Sequence, residues 1–389
     1  MNESDVTDKK ARRFVLASTW LASYVLLVFM PMLLRGEIVP ASYYLLVAVG
    51  VIPAIFIEYL YLLMSEIPRS KSGKSKNTVS NNFSIAIFYI GFLFSFISLS
   101  AGVGTYEVQV GRGQLSWFSQ LATPFQSWLF VGIALMISNV LQGALSKKYF
   151  KLHLFVGAIL FTIEVSISGI TVNLARYVLL VLLVLWIFRF ITARALLISL
   201  MLTISVWFTL FGLRNSLRHE IGGTNSYGQQ LNPISRLDES NNLGLFAYVL
   251  PNQKISQPGI AQALRIGLIP RIIDPYPRPP LATGRLISFR LGKGVLNSST
   301  LTFFGNIFLL SNGYIAISIV TSAICLVLSV GLSRGSHFGY LVLVAGLANF
   351  SWIESMYPDA ISGFIQTLVS SIPIFFILWL KRATSKIQT

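Results

Sequence analysis

Charge is what this sequence has least of. Only 11% of its 389 residues are Asp, Glu, Lys or Arg, against about 25% in a soluble domain. With 54% hydrophobic residues, that scarcity excludes a water-soluble fold. Acids are the scarcer sign, 14 against 30 bases, and the net charge of +16 first suggests a nucleic-acid partner. Placement argues against one, because most of the cations flank apolar segments instead of forming a patch interleaved with aromatics. Cys325 is the single cysteine and His153, His219 and His337 are the only histidines. No intrachain disulfide is possible, and no Cys/His metal cluster can be assembled. No metal and no cofactor is expected.

What is present is a series of long apolar runs. A helix needs roughly 20 apolar residues to cross the hydrocarbon core. Such runs occur near residues 14–34, 42–64, 83–103, 123–145, 152–170, 173–193, 195–213, 312–333, 338–356 and 360–380. The fold class expected is therefore all-α, a polytopic transmembrane bundle of about ten helices. The first run, Phe14 to Leu34, is longer than a signal-peptide core and lacks a small-residue cleavage pattern, so it is expected to be retained. Ten spans put both termini on one side. That side carries 17 Lys and Arg residues, at 9–13, 69–76, 147–151, 189–194, 334 and 381–386, whereas the short loops opposite hold only Arg35 and Arg112. The positive-inside rule makes the richer side cytoplasmic.

Two segments are not membrane. Residues 65–82 read as a cytoplasmic linker whose Gly/Ser/Lys run lacks the spacing of a phosphate loop. Residues 214–300 separate the N-terminal helices of 1–213 from the C-terminal helices of 301–389 and fall on the outer face. Loops of this length usually carry function. This one has ten Lys or Arg against four acids, a net of +6, which suits an anionic ligand. Its apolar spacing over Ile260 to Ile269 predicts a short helix on or in the membrane surface. Pro270, Pro275, Pro277, Pro279 and Pro280 then force extended backbone, so Arg271, Arg278 and Arg285 do not share one helical face.

Ionisable residues inside the apolar runs are few: Glu58, Glu164, Arg176 and Glu354. Buried intramembrane charge is costly and marks function or pairing. Glu58 sits near the cytoplasmic end of its run and is expected to snorkel. Glu164 and Arg176 lie on consecutive spans at similar depth, which predicts either an ion pair or a functional arginine presenting its fork to phosphate. Arg214 and Arg218 are four residues apart and share a face if the seventh helix continues past the membrane, with His219 and Glu220 beside them. Asp238 follows Arg236, which favours its ionised form.

The stretch Ile269-Pro270-Arg271-Ile272-Ile273-Asp274-Pro275-Tyr276-Pro277-Arg278-Pro279, then Gly284, then Ser298 to Asn306 leading into Asn312-Gly313-Tyr314, resembles the large outer loop of Wzy-type polymerases. These are bacterial polymerases of O-antigen and capsule repeat units. The turn from Ser168-Gly169-Ile170 to Arg176 looks like that family's glycine-then-arginine turn. Arg278 stands where relatives often have Lys, and Asn306 where many have an acid.

The resemblance implies a fold similar to the C superfamily of membrane glycosyltransferases and to the O-antigen ligases, in a bacterial inner membrane. It implies transfer of a growing glycan from polyprenyl diphosphate to the terminal sugar of another lipid-linked repeat unit, without metal, with a chain-length regulator as a further partner. Arginines suit the diphosphate leaving group, and a carboxylate or histidine suits the acceptor hydroxyl. Arg176, Arg214, Arg218, Arg271, Arg278 and Arg285 are the expected substrate contacts, with Tyr276 stacking on a sugar ring. Glu220 and Asp238 are the expected bases, and His219 stands behind them. An O-antigen ligase and a flippase or transporter of lipid-linked glycan are the rival readings.

Overall fold

The structure, a computed structural model, describes residues 16–34, 36, 38–65, 79–103, 116, 118–168, 172–220, 265, 269, 274–276, 302–311, 313–352 and 357–387. Helix α1 (Leu16–Tyr24) runs through a π turn (Val25–Phe29) into α2 (Met30–Leu34). There follow α3 (Ala41–Ser65), α4 (Asn81–Ser100), α5 (Ser119–Gln126), α6 (Trp128–Leu141), α7 (Lys147–Ser168), α8 (Val172–Ile187) and α9 (Ala193–Glu220). The chain closes with α10 (Phe303–Ser311), α11 (Tyr314–Arg334), α12 (His337–Phe350), α13 (Tyr357–Ser370) and α14 (Ile372–Ile387). No strand occurs among the described residues. Of the linker, residues 66–78 lie outside them.

Every expected apolar run is helical, but the ten are not alike. Among the described residues, six helices are long and apolar enough to cross a membrane: Ala41–Tyr61, Asn81–Ser100, Ala122–Leu141, Lys147–Ser168, Tyr314–Arg334 and Asp359–Lys381. Asn173–Ile187, Ala193–Thr203 and His337–Phe350 are shorter apolar helices, and the first run is interrupted by its π turn. Apolar side chains such as Leu26, Ile52, Phe155, Met201 and Ile315 point outward, as a lipid-facing surface requires and a soluble monomer avoids.

The core is built on α6 and α12. Nearly all residues of both are buried, as expected of helices apolar on every side. Helix α4 packs on α6, α3 packs on α11, and α12 joins the two pairs. A tight reversal sets α12 against α11. Gly335 takes φ 59, a left-handed conformation that costs a glycine little. Ser336 then caps α12 by accepting the Gly339 N–H at 3.0 Å. Pro124 precedes the kink between α5 and α6, where the Trp128 indole donates to the Ser370 carbonyl at 2.8 Å. That contact meets the break between α13 and α14, which Pro373 follows.

Helix α10 was read in the sequence only as an approach to the next span. Nine residues cannot cross a bilayer, but Phe303, Phe304 and Ile307 are fully buried. Trp20 and Tyr24 stack on these phenylalanines, the Phe304 N–H donates to the Tyr24 hydroxyl at 3.3 Å, and Tyr43 donates to Thr302 at 3.3 Å. Thr302, Phe303 and Phe304 are thus clamped between α1 and α3 before α11 begins.

Glu58 does not snorkel. It is buried, and its Oε1 accepts the backbone N–H groups of Leu16 and Ala17 at 3.2 and 3.4 Å. A carboxylate from α3 therefore caps the start of α1, whose first N–H groups have no intrahelical acceptor. Glu58→Ala is expected to lower stability by about 1–2 kcal/mol, the scale of a lost cap. Glu58→Gln keeps an acceptor oxygen and is expected to lose less. Thermal denaturation in detergent distinguishes the two, and equal losses would argue against capping as the role of this side chain.

Candidate functional site

Helix α9 runs unbroken to Glu220. The end of the bundle where it finishes is called the loop end. The continuation expected of the seventh run is present, so Arg214, Arg218, His219 and Glu220 occupy the last two turns of α9. Arg214 and Arg218 are one turn apart on that helix. Asp238, Arg271, Arg278, Arg285 and Glu354 lie outside the described residues.

At the same end, α7 finishes and α8 begins. Glu164 is buried one turn from the end of α7, and both of its oxygens are occupied. Ser95 of α4 donates to Oε2 at 2.9 Å, and Asn173 in the first turn of α8 donates to Oε1 at 3.3 Å. An ion pair with Arg176 is one of the two arrangements that the sequence suggests for Glu164. Asn173 is nearer the turn and reaches back to α7 first, and the two hydrogen bonds satisfy a buried carboxylate without a cation.

Arg176, one turn further into α8, is half-buried and interacts electrostatically with Asp359 instead. Asp359 stands in the first turn of α13, where a helix N-terminus also favours negative charge. Helix α8 packs on α7 and on α12, and α13 packs on α12. Asn173 and Arg176 therefore serve different neighbours although they are three residues apart. The arrangement holds a guanidinium at the loop end, beside a carboxylate, in a bundle otherwise poor in charge.

A second arrangement comes from the long segment itself. The Ile269 N–H donates to the Arg265 carbonyl at 2.8 Å, an α-type turn within the region where a short helix was expected. Arg265 forms an ion pair with Asp274 at 3.4 Å and lies over the Tyr276 ring, 5.2 Å from its centroid. Asp274 Oδ1 also accepts the Tyr276 N–H at 3.3 Å. The Asp274 side chain is 1% exposed, whereas Tyr276 is 64% exposed.

Sequence reasoning named Arg176 and Tyr276 but missed what surrounds them. Neither Asp359 nor Arg265 stands out in the sequence by motif or spacing. The spacing of Asp274 and Tyr276, an Asp two residues before an exposed aromatic, is the one local signal that foreshadowed a turn with the carboxylate folded back on the chain. Among the described residues, no three His, Cys, Asp or Glu side chains are grouped as metal ligands would be. Comparison with protein-family models, curated proteins and solved structures gives no match.

Proposed function

We propose that this chain is a membrane glycosyltransferase of the bacterial inner membrane, with both termini cytoplasmic, that joins polyprenyl-diphosphate-linked oligosaccharide repeat units into O-antigen, capsule or exopolysaccharide on the outer face. The observation that carries the reading is the concentration of arginine at one end of a charge-poor bundle. Arg176 stands there beside Asp359, α9 ends there with Arg214 and Arg218, and the net +6 segment begins there. The motif resemblance of residues 269–279 and 298–314 points the same way, toward the architecture of the C superfamily and the O-antigen ligases.

In this reading the acceptor hydroxyl attacks the anomeric carbon of the donor glycan. The carbon–oxygen bond to the diphosphate breaks, and the electron pair leaves on the diphosphate oxygen. Guanidinium forks meet that developing charge bidentately. Arg176, Arg214, Arg218, Arg271, Arg278 and Arg285 fill this role. The hydroxyl proton passes to Glu220 or Asp238, with His219 as the third base, since a carboxylate or imidazole within hydrogen-bond reach suffices. The lipid tail stays in the bilayer, and a chain-length regulator sets when extension stops.

Deletion of the protein in a strain whose surface polysaccharide depends on it is expected to leave glycan of one repeat unit in place of a ladder on a gel. Arg271→Ala or Arg278→Ala is expected to give the same collapse. Long glycan stranded on its lipid carrier would instead identify a ligase, and an unchanged ladder would overturn both readings.

A further inference from the structure

We propose that Arg265, Asp274 and Tyr276 form a preorganised platform on which Tyr276 stacks against a neutral sugar ring, Arg265 and Asp274 acting as positioning residues. The proposal rests on the glycan-handling reading above for its ligand class, and on the geometry of these three residues for everything else.

One face of the Tyr276 ring is covered by the Arg265 guanidinium at 5.2 Å, yet the residue as a whole is 64% exposed. Much of the side chain is therefore accessible to a ligand. The backbone that carries the ring is tied to the same pair, because the Asp274 carboxylate accepts the Tyr276 N–H and binds Arg265 at 3.4 Å. Pro275 precedes Tyr276 and Pro277 follows it, which narrows the backbone conformations open to residue 276. A tyrosine has two side-chain torsions, so an exposed ring lying against a guanidinium offers contact area at little entropic cost.

The chemistry of the platform selects its ligand. Arg265 is engaged by Asp274, and the two charges cancel, so the pair offers no net attraction to phosphate. An aromatic face flanked by a phenolic hydroxyl suits the C–H face of a pyranose, with the hydroxyl available as donor or acceptor to a sugar hydroxyl. A tyrosine that anchors a protein at the membrane interface keeps its ring in the apolar layer and only its tip in water. A ring face occupied by a guanidinium does not fit that use.

The test is saturation-transfer NMR on the full chain in phosphatidylcholine nanodiscs, with a mixture of maltohexaose, cellohexaose, chitohexaose and mannohexaose as the probe. Saturation is expected on ring C–H protons of at least one of these sugars. Tyr276→Ala is expected to weaken that binding about fivefold, the scale of one lost aromatic contact. Tyr276→Phe is expected to retain most of it, and Arg265→Ala to fall between them. Because Tyr276 is exposed, the thermal midpoint of Tyr276→Ala should match that of the unaltered chain.

Binding equal in Tyr276→Ala and the unaltered chain would overturn the proposal. So would no transfer to any of the four sugars, or a signal that appears only with anionic phosphatidylglycerol in the disc. These outcomes are separable from failure of the polymerase reading. An intact ladder after deletion of the protein overturns polymerisation and leaves a Tyr276-dependent sugar signal standing.

Discussion

Gly91→Val is expected to abolish the folded protein. Helices α4 and α6 cross so closely that each places a glycine against the other's backbone. A Cβ built on Gly91 would lie 2.7 Å from Leu129 Cα, and one on Gly132 would lie 2.5 Å from Phe88 Cα. The contact is reciprocal: Phe88 and Gly91 on α4, three residues apart, meet Leu129 and Gly132 on α6, also three apart. Small residues at such crossings let helix backbones approach where no hydrophobic drive exists between apolar helices in lipid. Here the obstructing atoms are main chain, which no rotamer change can move aside.

Gly91→Ala is the milder probe, expected to cost about 1–3 kcal/mol as an overpacked contact. Alanine already pushes on the Leu129 main chain, and valine adds two methyl groups to the same gap, forcing α4 and α6 further apart. That separation propagates, because α6 and α12 are the buried centre on which the other helices pack. Gly91→Ala combined with Gly132→Ala should deviate from the sum of the single effects, since both act on one crossing. Size-exclusion profiles in detergent and thermal midpoints read these effects. A Gly91→Val protein with an unchanged profile and midpoint would mean that the two helices do not approach this closely.

The helices themselves were legible in the sequence because length and apolarity are local properties. Even so, a threshold of about 20 apolar residues passed over α10, whose Phe303 and Phe304 are buried against Trp20 and Tyr24, more than 250 positions away in the chain. It also expected α12 to run further than Phe350. Glu58 shows the same limit for charge. From the sequence it was an acid near a helix end, with water its nearest imaginable partner. Its actual partners are the N–H groups of Leu16 and Ala17, 42 and 41 residues distant. Helix ends seek acceptors wherever packing supplies them, and packing is not written in spacing.

Arg176 makes the point for the site. Consecutive spans suggested Glu164 as its counterion, because adjacency along the chain is the only adjacency a sequence displays. The fold satisfies Glu164 with Ser95 and Asn173, and the charge of Arg176 acts on Asp359. The arginine is then not committed to a carboxylate buried by two hydrogen bonds. Its charge acts on the first turn of α13, at the end where the long basic segment leaves α9.

That placement leads to the largest expected effect on activity. If Arg176 meets the diphosphate as the glycosidic oxygen departs, its contact strengthens in the transition state. Arg176→Ala should then reduce the rate of chain extension on the order of 10²–10³-fold, the scale of removing one preorganised donor from a developing anion. Arg176→Lys keeps the charge but not the planar fork, and is expected to recover only part of the loss. Asp359→Asn removes the carboxylate that faces the guanidinium while preserving its size. It should lower the rate less than Arg176→Ala, because it alters the position of the arginine and leaves its donors in place. Extension is measured with purified protein and a lipid-linked repeat unit, products being separated as a ladder, and thermal midpoints confirm that each variant is folded. A full-length ladder from a folded Arg176→Ala protein would remove this arginine from the reaction. A loss in Asp359→Asn as deep as that in Arg176→Ala would make the pair itself, and not the arginine's donors, the element on which extension depends.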